Sequence, residues 1–430
     1  MAARSAPDPA QTDVFVHIGE PKTGTTFLQQ VMWGNRDLLA AQGVALPGHH
    51  PQDHYRASQD LRGLRMLASD PAGSWAGEWD ILAREAVRPG PRGPAHRAAV
   101  ISHELFAAAE PAQAARAVAS LAPARVHVVL TVRDIATLLP AEWQESVKHR
   151  LNRGWEDWLT DIIDTEAPEP DRRRFWFWRV HDTLEIARLW SQHVPAERVH
   201  VITMPRAGAG PGELWQRFAG LAGLDPARAD LSQARPNASL GMAETEFLRQ
   251  LNAALPAEVP DWFYMWTVKE WVAHETLARR PRGARLLLPL ERESWAKEHA
   301  EAVIAGLRAA GYDLIGDLDE LRPRPAAELH PASPSAEPAQ DILGAAVQSA
   351  AALVANQFSK EHGGQASRAA AAGPPAAGLR GIFSRAESAV AASPRLKRAV
   401  REASSRSAAV RRLRVLAWQA AERSRAGKAP

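Results

Sequence analysis

Apolar residues in the first two hundred positions occur as short β-branched runs separated by stretches with helical spacing. The runs occupy residues 14–18, 98–106, 124–134 and 197–205. Between them, apolar residues recur at the spacing of an amphipathic helix, for example over 184–190. Strands that alternate with helices predict an α/β fold with a parallel sheet flanked by helices. Ligands of such sheets bind outside the carboxyl ends of the strands, so we searched those positions for chemistry.

The pattern changes in the second half of the chain. Residues 237–320 are predicted to be mainly helical, with "ETEFLRQLN" and "WAKEHAEAVIAGLRAAGYDL" as the clearest stretches. Past Leu321 the composition shifts to Pro, Ala and Ser, which cannot build a core. We therefore predict an α/β domain over 13–322, a Pro/Ala-rich linker with one short helix over 323–378, and a tail over 379–430.

The tail is strongly basic. From Arg380 to the end it carries 13 Lys and Arg against 3 Asp and Glu, and its apolar residues fall near one helical stripe. A flexible, solvated tail is the favoured interpretation. The alternative is an amphipathic segment, residues 380–425, that binds an anionic membrane surface. We expect no specific binding of nucleic acid.

Composition excludes several classes of site. The 430 residues include no cysteine, which rules out disulfides, zinc–thiolate centres and a cysteine nucleophile. The first dozen residues lack an apolar core, and no run of 18 or more apolar residues follows. These features predict a cytoplasmic location, peripheral at the membrane if the tail binds lipid. The formal net charge of +3 indicates no particular partner.

The first strand runs into a stretch rich in glycine and threonine. In "HIGEPKTGTTFLQ", residues 17–29, two glycines, a lysine and three threonines lie between a predicted strand and a predicted helix. A sharp strand-to-helix turn directs backbone N–H groups and the positive end of the helix dipole outward. The sequence therefore predicts a phosphate-binding loop.

One alternative is the loop of P-loop nucleotide kinases and NTPases. Gly19 and Gly24 have the spacing of that motif, but Thr25 occupies the position of its lysine. The acid that could bind a metal, Asp134, directly follows Arg133, whose charge would compete with the metal. A kinase or NTPase is therefore the weaker prediction.

"PKTGTT" after a strand resembles the nucleotide loop of the sulfotransferases that use 3′-phosphoadenosine 5′-phosphosulfate (PAPS), including bacterial sulfotransferase family proteins. The second motif of that family, an arginine at the end of a later strand, is matched by Arg133 in "VVLTVRD". "SHEL", "RPNASLG" and "GYDLIGDLDEL" add weaker similarity, so the resemblance extends over about residues 13–322.

The resemblance implies a role for individual residues. Lys22 would stabilise the leaving phosphate, and Thr23, Gly24, Thr25 and Thr26 would hold the 5′-phosphate. Arg133 would bind the 3′-phosphate together with a serine eight residues later. That position is Ala141 here, and the nearest hydroxyl is that of Ser146. PAPS is the expected co-substrate, with no metal.

Transfer to a hydroxyl also requires a general base at the same edge of the sheet. His103 and Glu104 follow the strand "AAVIS", and either could serve. We favour Glu104, because relatives in the family often use a glutamate. His17, within the first strand, is predicted to be a packed core residue.

Two other clusters are weaker candidates. His49, His50 and His54 form a group in a predicted polar connection, but no clustered acid supports a metal site. "RRRFWFW", residues 172–178, could bind an anionic or aromatic acceptor, or nucleic acid by stacking. A cationic segment that enters an aromatic core helix is the preferred interpretation.

The predicted activity is transfer of a sulfuryl group from PAPS to a hydroxyl or amine of a small-molecule or glycan acceptor. The alternatives are a P-loop kinase or NTPase, and a non-catalytic nucleotide-binding protein that acts through its basic tail.

Overall fold

The computed structural model describes residues 11–64, 75–90, 93–94, 96–164, 172–206, 208–210, 212–234, 240–280, 285–324, 341–354 and 356. The chain divides into two units, Met1–Gln357 and Phe358–Pro430, and every described residue belongs to the first. The predicted basic tail therefore lies outside the described residues.

A six-stranded sheet forms the centre of the first unit. Its strand order is β2-β5-β1-β6-β7-β8, and every neighbouring pair is parallel. A separate antiparallel pair joins β3 to β4. The strands are β1 (Asp13–Gly19), β2 (Val44–Ala45), β3 (Pro89–Gly90), β4 (Gly93–Pro94), β5 (Ala98–Ser102), β6 (Arg125–Val132), β7 (Val199–Thr203) and β8 (Asp313–Ile315).

Helices connect the strands and form a further layer. They are α1 (Thr25–Gly34), α2 (Arg36–Ala41), α3 (Pro51–Leu61), α4 (Glu78–Ala86), α5 (Pro111–Ser120), α6 (Ile135–Lys148), α7 (Trp155–Ile163), α8 (Arg172–His181), α9 (Thr183–Ser191), α10 (Gly212–Leu221), α11 (Met242–Ala254), α12 (Asp261–Tyr264) and α13 (Glu293–Ala309). Helix α12 continues into a wider-turned helix over Met265–Thr276, and residues 341–354 form one more helix.

Both faces of the central strands are buried, which explains their continuous apolar sequences. On β1, Val14, Val16 and Ile18 pack into one core with Trp79 and its neighbours. Phe15 faces the opposite side, where it joins a second core that includes residues of α1 and α10. Alternation of side chains along the strand places these residues in different cores.

A third core belongs to the helical part of the chain. It joins α6, α7 and α8 to α11, α13 and the helix over Met265–Thr276. Large aromatic side chains dominate it, among them Trp143, Trp158 and Tyr264, all of which are buried. This packing holds the second half of the chain against α6, the helix that follows β6.

The structure confirms the predicted α/β class, the parallel sheet flanked by helices and the helical C-terminal part. Three of the elements that the sequence patterns missed are β2, α3 and β8. The predicted polar connection after α2 contains β2 and α3, and "GYDLIGDLDEL" contains β8 at the sheet edge. Both of these strands have only two or three residues, too few to show a periodic pattern. Residues 172–178 belong to α8, where the Phe177 side chain is buried.

The described part of the chain contains no helix that is both long enough and apolar enough to cross a membrane. The domain boundaries at residues 322 and 378 remain predictions.

Candidate functional site

The loop between β1 and α1 makes the sharp turn that the sequence predicted. Gly19, Lys22 and Gly24 all have positive φ angles, of 117°, 62° and 85°. A Cβ atom on Gly24 would lie 2.4 Å from the Cδ2 atom of Leu214. Glycine is therefore favoured there for two reasons, the left-handed backbone and the close approach of the Leu214 side chain on α10.

Hydrogen bonds among buried polar groups fix the position of the loop. The backbone N–H of Glu20 donates to the carbonyl of Thr131 at 2.9 Å. The hydroxyl of Thr23 lies 2.5 Å from the carbonyl of Glu20 and 2.6 Å from the hydroxyl of Thr131. The Thr23 side chain is fully buried, so only its backbone could contribute to the predicted cradle.

The first turn of α1 offers donors without a competing acceptor. Its N-cap is Gly24, no side chain caps the helix, and no acidic residue occurs in the first turn. Backbone N–H groups at such an end need an outside acceptor and favour an anion. Local geometry therefore supports the predicted role of the loop.

A cleft of about 1420 Å³ opens beside this loop. It lies at the carboxyl ends of β1, β5 and β6, and β5 and β6 flank β1 on opposite sides. Parallel sheets bind their ligands at such a switch in strand order. All but one of the predicted site residues line it, namely Lys22, Gly24, Thr25, Thr26, His103, Glu104, Arg133 and Ser146. The exception is Thr23.

Lys22 is held by a glutamate that the sequence analysis did not identify. Its Nζ atom lies 2.6 Å from Oε2 of Glu145, on α6. The same carboxylate is contacted by Lys148, by Lys269 and by His149. Burial alone would raise the pKa of Glu145, but the hydrogen bond from His149 and the three ammonium charges bring it far below its usual range. We call these five residues the Glu145 cluster.

Arg133 lies between the loop and the start of α6. Its Nε donates to the hydroxyl of Thr137 at 2.8 Å, and one terminal nitrogen donates to the carbonyl of Lys22 at 3.2 Å. Burial lowers the pKa of its guanidinium. The adjacent Asp134 accepts a hydrogen bond from the N–H of Thr137 and so caps α6. Ala141 also lines the cleft, as does the next residue, Glu142.

Glu104 begins the 3₁₀ helix that follows β5, and both it and His103 line the cleft. The side-chain amide of Gln29, on α1, donates to Oε2 of Glu104 at 3.1 Å. Burial would raise the pKa of this carboxyl, but the neighbouring His103 and the hydrogen bond from Gln29 bring it below its usual value. Glu104 is therefore ionised near neutral pH.

His103 has a structural task as well. Its Nδ1 accepts a hydrogen bond from the backbone N–H of Leu105 at 3.2 Å and so caps the short helix. Its ring packs against Tyr55 with 5.3 Å between ring centroids. Burial lowers the pKa of the imidazole, which keeps it neutral near pH 7.

Three other histidines named from the sequence, His17, His50 and His54, have structural contacts. His17 is fully buried, as predicted, and its ring lies 2.8 Å from the hydroxyl of Ser102. His50 caps α3, and His54 is buried with Nε2 2.9 Å from the carbonyl of Pro47. No cluster of three metal-binding side chains occurs among the described residues.

A buried histidine links the loop to the cleft wall. His181 lies between Glu20, in the loop, and Glu142, in the cleft, with nitrogen–oxygen distances of 3.7 and 3.6 Å. Burial opposes its protonation, yet the two carboxylates raise the pKa of His181 to about 9. The two carboxylates thus favour the protonated form of this buried histidine.

Helical spacing in the sequence could have identified part of the Glu145 cluster. Glu145, Lys148 and His149 follow the arginine strand at helical spacing, and this places them on one face of α6. Lys269 is distant in sequence, so only the tertiary fold shows that it joins them.

Comparisons with known proteins add a limited finding. No family model and no curated protein matches the chain. A crystal structure of a sulfotransferase from Alicyclobacillus acidocaldarius aligns over 61% of this chain and 96% of its own length, with 16% identity and a TM-score of 0.33.

Proposed function

We propose that the protein transfers a sulfuryl group from PAPS to a hydroxyl or amine acceptor. The observation that carries this proposal is the pairing of two groups in one cleft. Lys22 belongs to an anion-binding loop without a side-chain cap, and Glu104 offers an ionised carboxylate at the end of the neighbouring strand. One group suits a negatively charged leaving group, and the other suits an acceptor that must lose a proton.

The proposed reaction divides between these two groups. The acceptor oxygen or nitrogen forms a bond to sulfur while the bond from sulfur to the bridging oxygen of PAPS breaks. Negative charge grows on that oxygen, and Lys22 with the N–H groups of the loop stabilises it. The acceptor proton passes to Glu104. The products are the sulfated acceptor and adenosine 3′,5′-bisphosphate.

Arg133 is the proposed partner of the 3′-phosphate. Its guanidinium is partly buried, and contacts with Thr137 and the loop fix its position. Ala141 provides no hydroxyl beside it, whereas Ser146 lies further along α6 and also lines the cleft. We propose that Ser146 takes over the contact that a serine at position 141 would make.

The kinase alternative is less well supported by the same cleft. A P-loop kinase would need an acidic side chain at a strand end to help hold Mg²⁺. Asp134 is at that position, but its carboxylate is engaged in capping α6. The charge that Mg²⁺ would supply to a phosphoryl group is available here from Lys22.

Aromatic side chains form the proposed acceptor side. Tyr55 and Trp176 line the cleft together with His103 and Glu104. The guanidinium of Arg62 lies 5.0 Å from the centroid of the Trp176 ring. Such a wall suits an acceptor with a flat or apolar face, which both aromatic compounds and sugar rings provide.

The test is a transfer assay with PAPS and a panel of hydroxyl and amine acceptors, read by mass spectrometry. The proposal predicts a sulfated product with the wild-type protein and at least a hundredfold less with Lys22→Ala, by the usual loss from one electrostatic contact, of about 3 kcal/mol. Phosphoryl transfer from ATP with Mg²⁺, together with no sulfuryl transfer from PAPS, would establish the kinase alternative.

A further inference from the structure

The Glu145 cluster concentrates positive charge on a single carboxylate. Oε2 of Glu145 lies 2.6 Å from Nζ of Lys22 and 2.9 Å from Nζ of Lys148. Oε1 lies 3.2 Å from Nζ of Lys269 and 3.3 Å from Nε2 of His149. Two ammonium groups thus share one oxygen atom, at the edge of the phosphate-binding loop.

The charges in this cluster do not balance. Three ammonium groups surround one carboxylate, and the exposed fractions of the Lys148 and Lys269 side chains are only 9% and 12%. Burial and the neighbouring ammonium groups lower the pKa of Lys148, and the carboxylate of Glu145 opposes that shift. A group with more than one negative charge would satisfy the cluster better than one carboxylate does.

The position of Glu145 suggests what that group would replace. Its carboxylate contacts Lys22, the residue that the proposed function assigns to the leaving phosphate, and it lies in the same cleft. A phosphate or sulfate group has the same kind of oxygen acceptors as a carboxylate, with more charge. Such an anion and the Glu145 carboxylate cannot both occupy the space between Lys22 and Lys148.

We infer that Glu145 is an internal substitute for the bound anion, and that a polyanionic ligand displaces it and takes both Lys22 and Lys148 as partners. Lys148 is then a second cation for the charge that develops on the leaving phosphate. The assignment of the anion as the phosphosulfate of PAPS rests on the proposed function. The displacement of Glu145 by a polyanion does not rest on the proposed function.

A purely structural role makes a different prediction. If the cluster only joined α6, the loop and the helix over Met265–Thr276, removing the carboxylate would loosen the loop and weaken anion binding. If Glu145 competes with the anion, removing the carboxylate must strengthen anion binding. The sign of the change in affinity therefore separates the two roles.

Calorimetric titration with inorganic pyrophosphate measures this sign without any nucleotide. Glu145→Gln keeps the shape of the side chain and removes its charge. We expect it to bind pyrophosphate about tenfold more tightly than the wild type, and Lys148→Gln to bind about tenfold more weakly, each change corresponding to one charge contact. Glu293→Gln is the matched control. Glu293 also lines the cleft but pairs with Lys297, so its affinity should stay within about twofold.

Equal or weaker binding by a folded Glu145→Gln protein, or no binding of pyrophosphate by any variant, would overturn the inference. Circular dichroism establishes folding. If Glu145→Gln does not fold, the pyrophosphate affinity of Lys148→Gln is the deciding measurement. An affinity equal to that of the wild type would contradict a shared anion site. Tighter pyrophosphate binding by Glu145→Gln without any turnover of PAPS would refute the proposed function and leave this inference standing.

Discussion

Lys22 and Glu104 have different tasks in the proposed reaction. Both line one cleft, and each is oriented by a defined neighbour, Lys22 by Glu145 and Glu104 by Gln29. The hydrogen bond from Gln29 fixes Glu104 before the acceptor arrives, and a group fixed in advance needs little reorganisation during the reaction, which is the usual source of electrostatic catalysis.

Lys22→Ala should therefore reduce turnover more than it reduces the binding of adenosine 3′,5′-bisphosphate. The charge of Lys22 matters most as the leaving oxygen becomes negative, so we expect a loss of on the order of a hundredfold in kcat. Lys297→Ala removes an exposed lysine that pairs with Glu293, and it should leave kcat unchanged. Nearly normal kcat in Lys22→Ala would exclude Lys22 from the mechanism.

The second residue-scale prediction concerns the general base. Glu104→Gln should abolish most turnover at unchanged nucleotide affinity, since a general base commonly contributes about a hundredfold or more. His103→Asn should retain much more activity, because the structure gives that ring a capping role and burial lowers its pKa. The measurement is kcat for both variants with one acceptor. An active Glu104→Gln and an inactive His103→Asn would reverse the assignment.

The pH dependence follows from the same carboxyl group. The pKa of Glu104 is lowered from 4.5, so the base stays ionised down to that pH and turnover should fall only below it. This sign holds because a lowered pKa keeps the charged, proton-accepting form present at more acidic pH.

The sequence identified eight residues that line the cleft but not their partners. Lys22, Arg133 and Glu104 could be found because each follows a strand, and the ends of parallel strands meet at one edge. The cluster around Glu145 needs Lys269 from a distant helix, and no local pattern reports that contact. The inward turn of the Thr23 hydroxyl also depends on a partner in another strand, Thr131.

At the element scale, the decisive feature is the turn from β1 into α1. The sequence predicted it from glycine and threonine between a β-branched run and a helical pattern. What the sequence could not show is that α10 packs directly over the loop, with Leu214 against Gly24. The sequence pattern could not predict the short strands β2 and β8 either, because their pairing with longer strands defines them.

Gly24→Ala tests this turn against a matched glycine. Gly24 and Gly77 have nearly equal φ angles, 85° and 82°, but a Cβ at Gly77 would meet nothing within 4 Å. Both substitutions should cost about 1–2 kcal/mol for the left-handed backbone. Gly24→Ala should cost a further 1–3 kcal/mol or so for the clash with Leu214. Urea unfolding measures the difference, and equal losses of unfolding free energy would show that α10 does not restrict the loop.

For the whole molecule, the buried side chain of His181 makes stability depend on pH. Because its pKa is raised from 6.5 to about 9, His181 binds its proton more tightly in the folded protein than in the unfolded chain. Its contribution to stability is fully present below pH 6.5 and disappears as the pH rises through 9.

We therefore expect the free energy of unfolding to fall from pH 6.5 to above pH 9, and this fall to be smaller in His181→Gln. Urea unfolding across that range, on both proteins, checks the prediction. The opposite sign applies to His17 and His54, whose pKa values burial lowers to about 4, so stability should also decline as the pH falls from 6.5 towards 4. Identical alkaline slopes for wild type and His181→Gln would contradict the assignment of this charge.

Calorimetry can establish whether the cleft binds a sulfotransferase nucleotide. The wild-type protein is titrated with adenosine 3′,5′-bisphosphate and with ADP, each with and without Mg²⁺. Because Arg133 is the proposed partner of a 3′-phosphate and Lys22 supplies the charge at the loop, we predict tighter binding of adenosine 3′,5′-bisphosphate, with no need for the metal. Equal binding of the two nucleotides, or binding only with Mg²⁺, would contradict the account.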